Sequence, residues 1–373
     1  MKELGQCGPY TLRRWVAAGG MGEVFLSHGP TPRGPGPVAV KRLLPQAKDD
    51  PIFVQMFLDE GRLVKGLRHP NICAVYDLGE DHGQYYIAME WADGVSLEQL
   101  ITRARGRGGL PVEAVARIIA DIANALDYAH RFRDEQDRFL AIVHRDVSPP
   151  NIMIGLRGRV KLLDFGLAKA RSQLTKTQPG TVKGKFGYLA PEQLTGDVDA
   201  RTDVFALGLC MYEAMTGEAF FNQETAAETV MNIRAYTSPP SAIPKRREVW
   251  PELDAVIKRA LWPRRELRFQ SAGEMRNAIE QALLDRRQRV DAKRLESVVR
   301  ELFPEKKPLE DSVAPPPIAP TPIASAKDLD ELEVMEELEL ITLPKTLKKN
   351  GLVIAVIAFG AVLLISAAAL LLL

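Results

Sequence analysis

Two carboxylates and a carboxamide stand at spacings that suit chemistry on phosphates. Asp146 lies in the polar stretch His144-Arg145-Asp146-Val147-Ser148-Pro149-Pro150-Asn151, where a carboxylate can accept or orient the proton of an attacking hydroxyl. Asn151 closes that loop, and Asp164 opens Asp164-Phe165-Gly166. An amide oxygen and a carboxylate are hard donors that can hold a divalent cation against phosphate oxygens. Between them lie a short apolar run, Ile152-Met153-Ile154, a Gly-containing turn and Val160-Lys161-Leu162-Leu163, which together read as a hairpin. His-Arg-Asp alone is weak, because three polar residues in a loop are usually just solvated. The order loop, hairpin, Asp-Phe-Gly is specific.

These groups need elements to position them. Tyr10 to Val16 reads as a first strand, followed by Ala17-Ala18-Gly19-Gly20-Met21-Gly22-Glu23-Val24, whose glycines let backbone close over phosphates without side chains in the way. Val24 to His28 is a second strand, Gly29 to Pro37 a Pro/Gly-rich turn, and Val38-Ala39-Val40-Lys41 a third strand. The apolar neighbours of Lys41 argue that it points into a cleft. Pro51 to Leu67 has helical periodicity through Phe53, Met56, Phe57, Leu63, Val64 and Leu67, and carries Glu60 mid-helix. Val75 to Leu78 and Tyr85 to Glu90 read as two more strands, leading into a connector, Met89 to Asp93. From Leu97 the pattern turns helical. Val112 to His130 is a long amphipathic helix, and Arg131 to Ala141 is a charged insertion expected as a surface hairpin. Glu252 to Leu261, Ala272 to Leu284 and Ala292 to Phe303 are further amphipathic helices.

Taken in order, these motifs make Tyr10 to Arg286 resemble a eukaryotic-like (Hanks-type) bacterial serine/threonine protein kinase. The resemblance implies an α+β, bilobal fold: a small β-rich lobe with one helix, a larger helical lobe, and ATP between them. It implies that Ala17, Ala18, Gly19, Gly20, Met21, Gly22 and Val24 cover the nucleotide. Ala39 would line the nucleotide site, Lys41 would pair its α- and β-phosphates, and Glu60 would orient that lysine. Met89 would sit behind the base, with backbone groups of Glu90 and Ala92 binding adenine. Asp146 is then the catalytic carboxylate. Asn151 and Asp164 hold Mg²⁺, with Mn²⁺ an alternative. Asp203 would brace the catalytic loop, Arg268 would pair with Glu192 of Ala190-Pro191-Glu192, and Val64, Val75, His144 and Phe165 would stack as a spine. The Ala190-Pro191-Glu192 segment implies protein substrates.

Three departures from the family pattern matter. Ala17 stands where the first glycine of the nucleotide loop is usual. Ser148 replaces the lysine that serine/threonine kinases carry two residues after the catalytic aspartate, a lysine that tyrosine kinases lack too. Lys185, in Gly184-Lys185-Phe186-Gly187-Tyr188, stands where threonine is usual. Charge balance suggests a swap in which Lys185 joins the catalytic set and Ser148 hydrogen-bonds near Asp146. The alternative is a solvent-exposed Lys185 and weak catalysis, which at its limit is a pseudokinase scaffold. Arg145 before the catalytic aspartate implies activation by phosphorylation of the segment that follows. Thr177 is the first candidate, then Thr175 and Thr181, with Arg145 and Lys169 as partners for the phosphate.

Composition sets the remaining bounds. The 373 residues are 46% hydrophobic and 26% charged, ordinary for a globular protein, and a formal net charge of +1 gives no reason to expect a nucleic-acid partner. Cys7, Cys73 and Cys210 are too few and scattered for a disulfide framework or a zinc site. Met1 to Pro9 has no apolar core of a signal peptide. Residues 287–303 read as a helical extension and 304–350 as a Pro-rich, then acidic linker, with Asp328 to Glu339 either a solvated spacer or a short partner-binding helix. Gly351 to Leu373 contains no charged residue and, as a helix of roughly 34 Å, exceeds a hydrocarbon core of about 30 Å. Lys345, Lys348 and Lys349 precede it. The expectation is a single-pass tail anchor in the cell membrane with the kinase-like domain in the cytoplasm. Gly351 and Ala355 have the small-xxx-small spacing of a pairing helix, a weak pointer to a homodimer in an Ala-rich segment.

Overall fold

Period-two alternation of apolar residues in the first quarter of the chain builds a six-stranded antiparallel sheet. Its strands are β1 (Gly5–Cys7), β2 (Tyr10–Ala18), β3 (Gly22–Thr31), β4 (Gly34–Leu43), β5 (Val75–Asp81) and β6 (Gln84–Glu90), in the order β1-β2-β3-β4-β6-β5. The computed structural model describes residues 3–19, 22–45, 47–165, 185–221, 223 and 225–309. All of them belong to one compact unit, Met1–Ile318.

Register decides which side chains share a face. Val24 lies opposite Lys41, Lys41 opposite Ile87, and Ala39 opposite Met89. Val24, Ala39, Lys41 and Met89 therefore line one face of the sheet. The alternate residues Phe25, Val38, Val40 and Ala88 point the other way, where Cys7, Tyr10, Leu12 and Tyr86 close over them in a separate small core. The expected turn from Gly29 to Pro37 is not one. β3 and β4 run on in register to Thr31 opposite Gly34, leaving only Pro32 and Arg33 between them. Prolines 30, 35 and 37 are tolerated because they lie near the end of the ribbon, where a missing N–H costs little. The Thr31 hydroxyl, donating to the Gly34 carbonyl at 2.7 Å and accepting from the Arg33 amide at 3.2 Å, closes the turn.

Helix α1 (Pro51–Lys65) starts where the Asp50 side chain accepts the Ile52 N–H at 3.0 Å and Pro51 takes the first helical position. It buries Met56, Phe57, Glu60 and Val64. A short strand β7 (Gly94–Ser96) leads from the connector into α2 (Leu97–Ala104) and then α3 (Val112–His130). β7 pairs with β8 (Ile152–Gly155), which pairs with β9 (Val160–Leu162), so the loop that ends at Asn151 runs directly into the middle strand of the small second sheet. The insertion after α3 folds back as expected, with Arg133 bridging Phe139.

The helical lobe is built around α4 (Ala200–Thr216), buried from Thr202 to Met215 and ended by Gly217 at φ +79°, a left-handed cap that favours glycine. Next in the chain come α5 (Ala226–Arg234), α6 (Pro251–Ala260) and α7 (Ala272–Asp285), of which α6 and α7 pack against α4, as α3 does; α8 (Ala292–Leu302) packs instead on α2, α3 and β8. Helix α8 buries Leu295, Val298, Val299 and Leu302. Burial of each such side chain is worth about 1.5–3 kcal/mol, enough to hold the helix on the domain. Among the described residues no helix is long and apolar enough to cross a membrane. Gly351 to Leu373, the linker from residue 310 and the acidic stretch Asp328 to Glu339 lie outside the described residues.

Candidate active site

Lys41 on β4 and Glu60 on α1 meet at 2.7 Å, and Lys41 also lies 3.6 Å from Asp164. Burial alone would depress the Lys41 ammonium, but the Asp164 and Glu60 carboxylates outweigh it and hold the group above its ordinary range. The lysine is therefore charged at neutral pH and fixed between two elements. Asp164 sits at φ +44° and Arg145 at φ +66°, the left-handed region in which bulky residues are strained. Such strain persists only where surrounding contacts over-determine the backbone, and both residues flank the groups that would do chemistry.

The catalytic loop is held from three sides. The Asn151 amide donates to the Asp146 carbonyl at 2.8 Å and to its carboxylate at 2.9 Å, which leaves the Asn151 amide oxygen as the atom that suits a cation. The Leu163 N–H donates to the Asn151 carbonyl at 2.9 Å, tying the loop to the strand before Asp164. Asp203, fully buried on α4, accepts the His144 N–H at 2.7 Å and the Arg145 N–H at 2.9 Å. Burial pushes the Asp203 carboxyl up, but its bond to His130 and the charges around it prevail and hold it below the usual carboxylate range. His144 also packs against Phe165, with ring centroids 4.6 Å apart and planes tilted by 44°, and Val64 and Val75 are buried in the same core.

The strand register places the ends of the loop from Ala17 to Val24, and backbone hydrogen bonds limit what the connector can offer. Ala17 lies opposite Val24 and Ala18 opposite Glu23. Gly22 admits no side chain, since a Cβ there would stand 2.7 Å from the Arg42 carbonyl oxygen. Gly20 and Met21 lie outside the described residues. The Glu90 N–H is already spent on the Ala74 carbonyl at 2.8 Å, and its own carbonyl accepts the Cys73 thiol at 3.2 Å. What Glu90 can offer a base is its remaining carbonyl lone pair, not its amide.

The profile of the protein kinase domain matches residues 10–284. The chain belongs to the protein kinase family. It is 41% identical over 278 residues to the tyrosine-protein kinase MasK of Myxococcus xanthus, covering 73% of this chain and 43% of that one. It is 38% identical over 275 residues to the serine/threonine-protein kinase PknB of Mycobacterium tuberculosis H37Rv, covering 72% and 42%. The crystal structure of the M. tuberculosis PknI kinase domain superposes with a TM-score of 0.57 at 32% identity, covering 75% of this chain and 99% of that one. The chain thus spans about two-fifths of the length of the curated relatives it matches.

Other parts of the kinase domain are tied together as the family resemblance implies. Arg268 meets Glu192 at 2.7 and 2.9 Å. The Ser148 hydroxyl donates to the Asp146 carbonyl at 3.4 Å. Among the described residues Arg145 Nε has no hydrogen-bond partner although it is buried. Lys185 opens a short turn, Lys185–Tyr188, but its side chain lies outside the described residues, as do Lys169, Thr175, Thr177 and Thr181.

Two supporting residues escaped sequence reasoning. His130, the last residue of α3, is buried against Asp203 at 2.8 Å and so steadies the brace itself. Lys161 is buried on β9, where it donates to the Glu90 carboxylate at 2.6 Å and the Ile72 carbonyl at 3.2 Å, fixing the connector. Neither carries a local signal. A helix-end histidine and a strand lysine read as exposed until their distant partners are known.

Proposed function

We propose that this chain transfers the γ-phosphoryl group of ATP to hydroxyls of protein substrates. The observation that supports it best is the convergence of Lys41, Glu60 and Asp164 beside a braced Asp146–Asn151 pair. Lys41 would hold the α- and β-phosphates, and the backbone of Glu90 and Ala92 would take the adenine. Asp146 would accept the hydroxyl proton as the oxygen attacks phosphorus. Asn151 and Asp164 supply an amide oxygen and a carboxylate, a donor set that fits Mg²⁺ or Mn²⁺; the cation would neutralise charge on the transferred group. Serine and threonine are the preferred acceptors, on the PknB relatives. The MasK relative and the absence of a lysine at Ser148 make tyrosine the competing acceptor.

Three finer readings belong with this one. Residues 351–373 anchor the domain to the membrane as a single pass, with the kinase domain cytoplasmic, and two copies pair there or through the domain. Thr177, Thr175 and Thr181 are autophosphorylated, and the phosphate pairs with Arg145, whose buried Nε has no hydrogen-bond partner among the described residues. The full chain incubated in lipid vesicles with γ-labelled ATP and Mg²⁺ is expected to label itself on threonine and to float with the vesicles. Label on tyrosine alone would overturn the serine/threonine reading. Flotation that survives removal of residues 351–373 would overturn the anchor. No label from a chain that still binds ATP would favour a scaffold.

Lys185 supplies the cation that Ser148 lacks. Removing one charge-stabilising group from such a site lowers turnover by about 10²–10³-fold. Lys185→Ala should show that loss in kcat with the KM for ATP nearly unchanged. Turnover close to the parent's would exclude the swap.

A further inference from the structure

The helical extension does not end at α8. Phe303, next after it, is buried, and the Arg103 guanidinium of α2 lies over its ring at 4.4 Å. Arg103 also pairs with Glu305. The chain then runs to the end of the connector. Lys306 Nζ donates to the Gly94 carbonyl at 3.3 Å, and the Leu309 N–H donates to the Asp93 carboxylate at 2.8 Å. At its other end the extension presses on the β8–β9 turn. Gly158 there has φ +73°, and a Cβ on it would stand 1.7 Å from the Ala292 carbonyl oxygen. All of this lies past residue 284, where the match to the kinase domain stops.

The places touched are not scattered. Asp93 and Gly94 are where the connector that would hold adenine passes into β7. The Asp93 carbonyl accepts the Leu156 N–H at 2.9 Å, and Gly94 lies opposite Gly155 on β8. β8 follows Asn151 directly, and β9 leads to Asp164. One segment therefore grips α2, the exit of the connector and the turn of the β8–β9 hairpin, which Asn151 precedes and Asp164 follows.

We propose that residues 292–309 form a strap that positions the nucleotide subsite, setting how tightly the domain binds ATP. This rests on the reading that the connector Met89 to Asp93 binds the base. The strap holds Asp93 and Gly94 through a carboxylate and a carbonyl that have no part in the proposed transfer. Its loss therefore moves affinity rather than the transfer step. It is also the point from which the linker toward residue 351 departs, so a displacement of that linker acts first on the connector.

The test uses the full chain. Phe303→Asp places a charge in the buried seat of the strap. Glu305→Arg opposes Arg103 without removing the Arg103 contact with the Phe303 ring, and Glu305→Gln, which keeps the size and drops the charge, is the milder control. Amide hydrogen exchange across 303–309 reports release of the strap. The dissociation constant for ATP with Mg²⁺, measured by calorimetry, reports the subsite. The expected result is faster exchange with a dissociation constant raised about fivefold and kcat changed by no more than about twofold, with Glu305→Gln falling between the parent and Glu305→Arg in both exchange and affinity. A released strap with unchanged ATP affinity overturns the proposal. Parent protein that binds no ATP overturns the nucleotide-site reading, and this inference with it.

Discussion

Asp146→Asn is expected to lower kcat by about 10²–10⁴-fold while the KM for ATP stays near the parent value. The carboxamide is nearly isosteric, and its oxygen can still accept the Asn151 amide that now donates to Asp146 at 2.9 Å. The bonds that hold the loop to Asp203 come from the backbones of His144 and Arg145 and are untouched. What disappears is the negative charge that accepts the hydroxyl proton. Lys41 and Glu60, on other elements, keep their ion pair, so nucleotide binding has no reason to weaken. Steady-state kinetics beside a thermal melt decide the matter. A loss of less than about tenfold, with the fold intact, would mean that Asp146 is not the proton acceptor.

Arg268→Leu is expected to destabilise the helical lobe by about 3–5 kcal/mol, the range for breaking a buried ion pair from one side. The Arg268 side chain is 0% exposed. Besides Glu192 it donates to the carbonyls of Trp262 at 2.7 Å, Pro263 at 2.9 Å and Arg201 at 3.2 Å, and it lies over the Phe205 ring at 4.6 Å. Leucine fills part of the volume but leaves the Glu192 carboxylate and three carbonyls without that donor. Adding Glu192→Gln should recover part of the loss, because the abandoned group is then neutral. Urea unfolding of the parent, the single variants and the pair measures this. A destabilisation of Arg268→Leu below about 1 kcal/mol would show that water or a neighbour replaces the guanidinium.

Much of the site was legible because its groups keep short, fixed separations along the chain. Asp146 and Asn151 share one loop, Asp164 follows after one hairpin, and their types alone specify hard donors and a proton acceptor. Period-two and helical patterns placed Lys41 on a strand and Glu60 on a helix, and the bilobal architecture was what the family resemblance implied. Turn residues misled where they were read locally. The prolines and glycines from Gly29 to Pro37 looked like a loop, yet the register of β3 against β4 carries pairing through them. Local propensity lost there to an extended ladder.

What the tertiary structure alone decided are the contacts made between distant parts of the chain. Lys161 turns inward to Glu90, His130 backs Asp203, and Phe303 and Leu309 return to α2 and Asp93. A lone lysine, histidine or tail residue has no periodicity that names its partner, because that partner is chosen by the packing of whole elements. The sequence by itself determined which chemistry the chain carries and which elements bear it. The close packing of those elements decided which charges are buried, which are paired, and what holds the connector beside the nucleotide site.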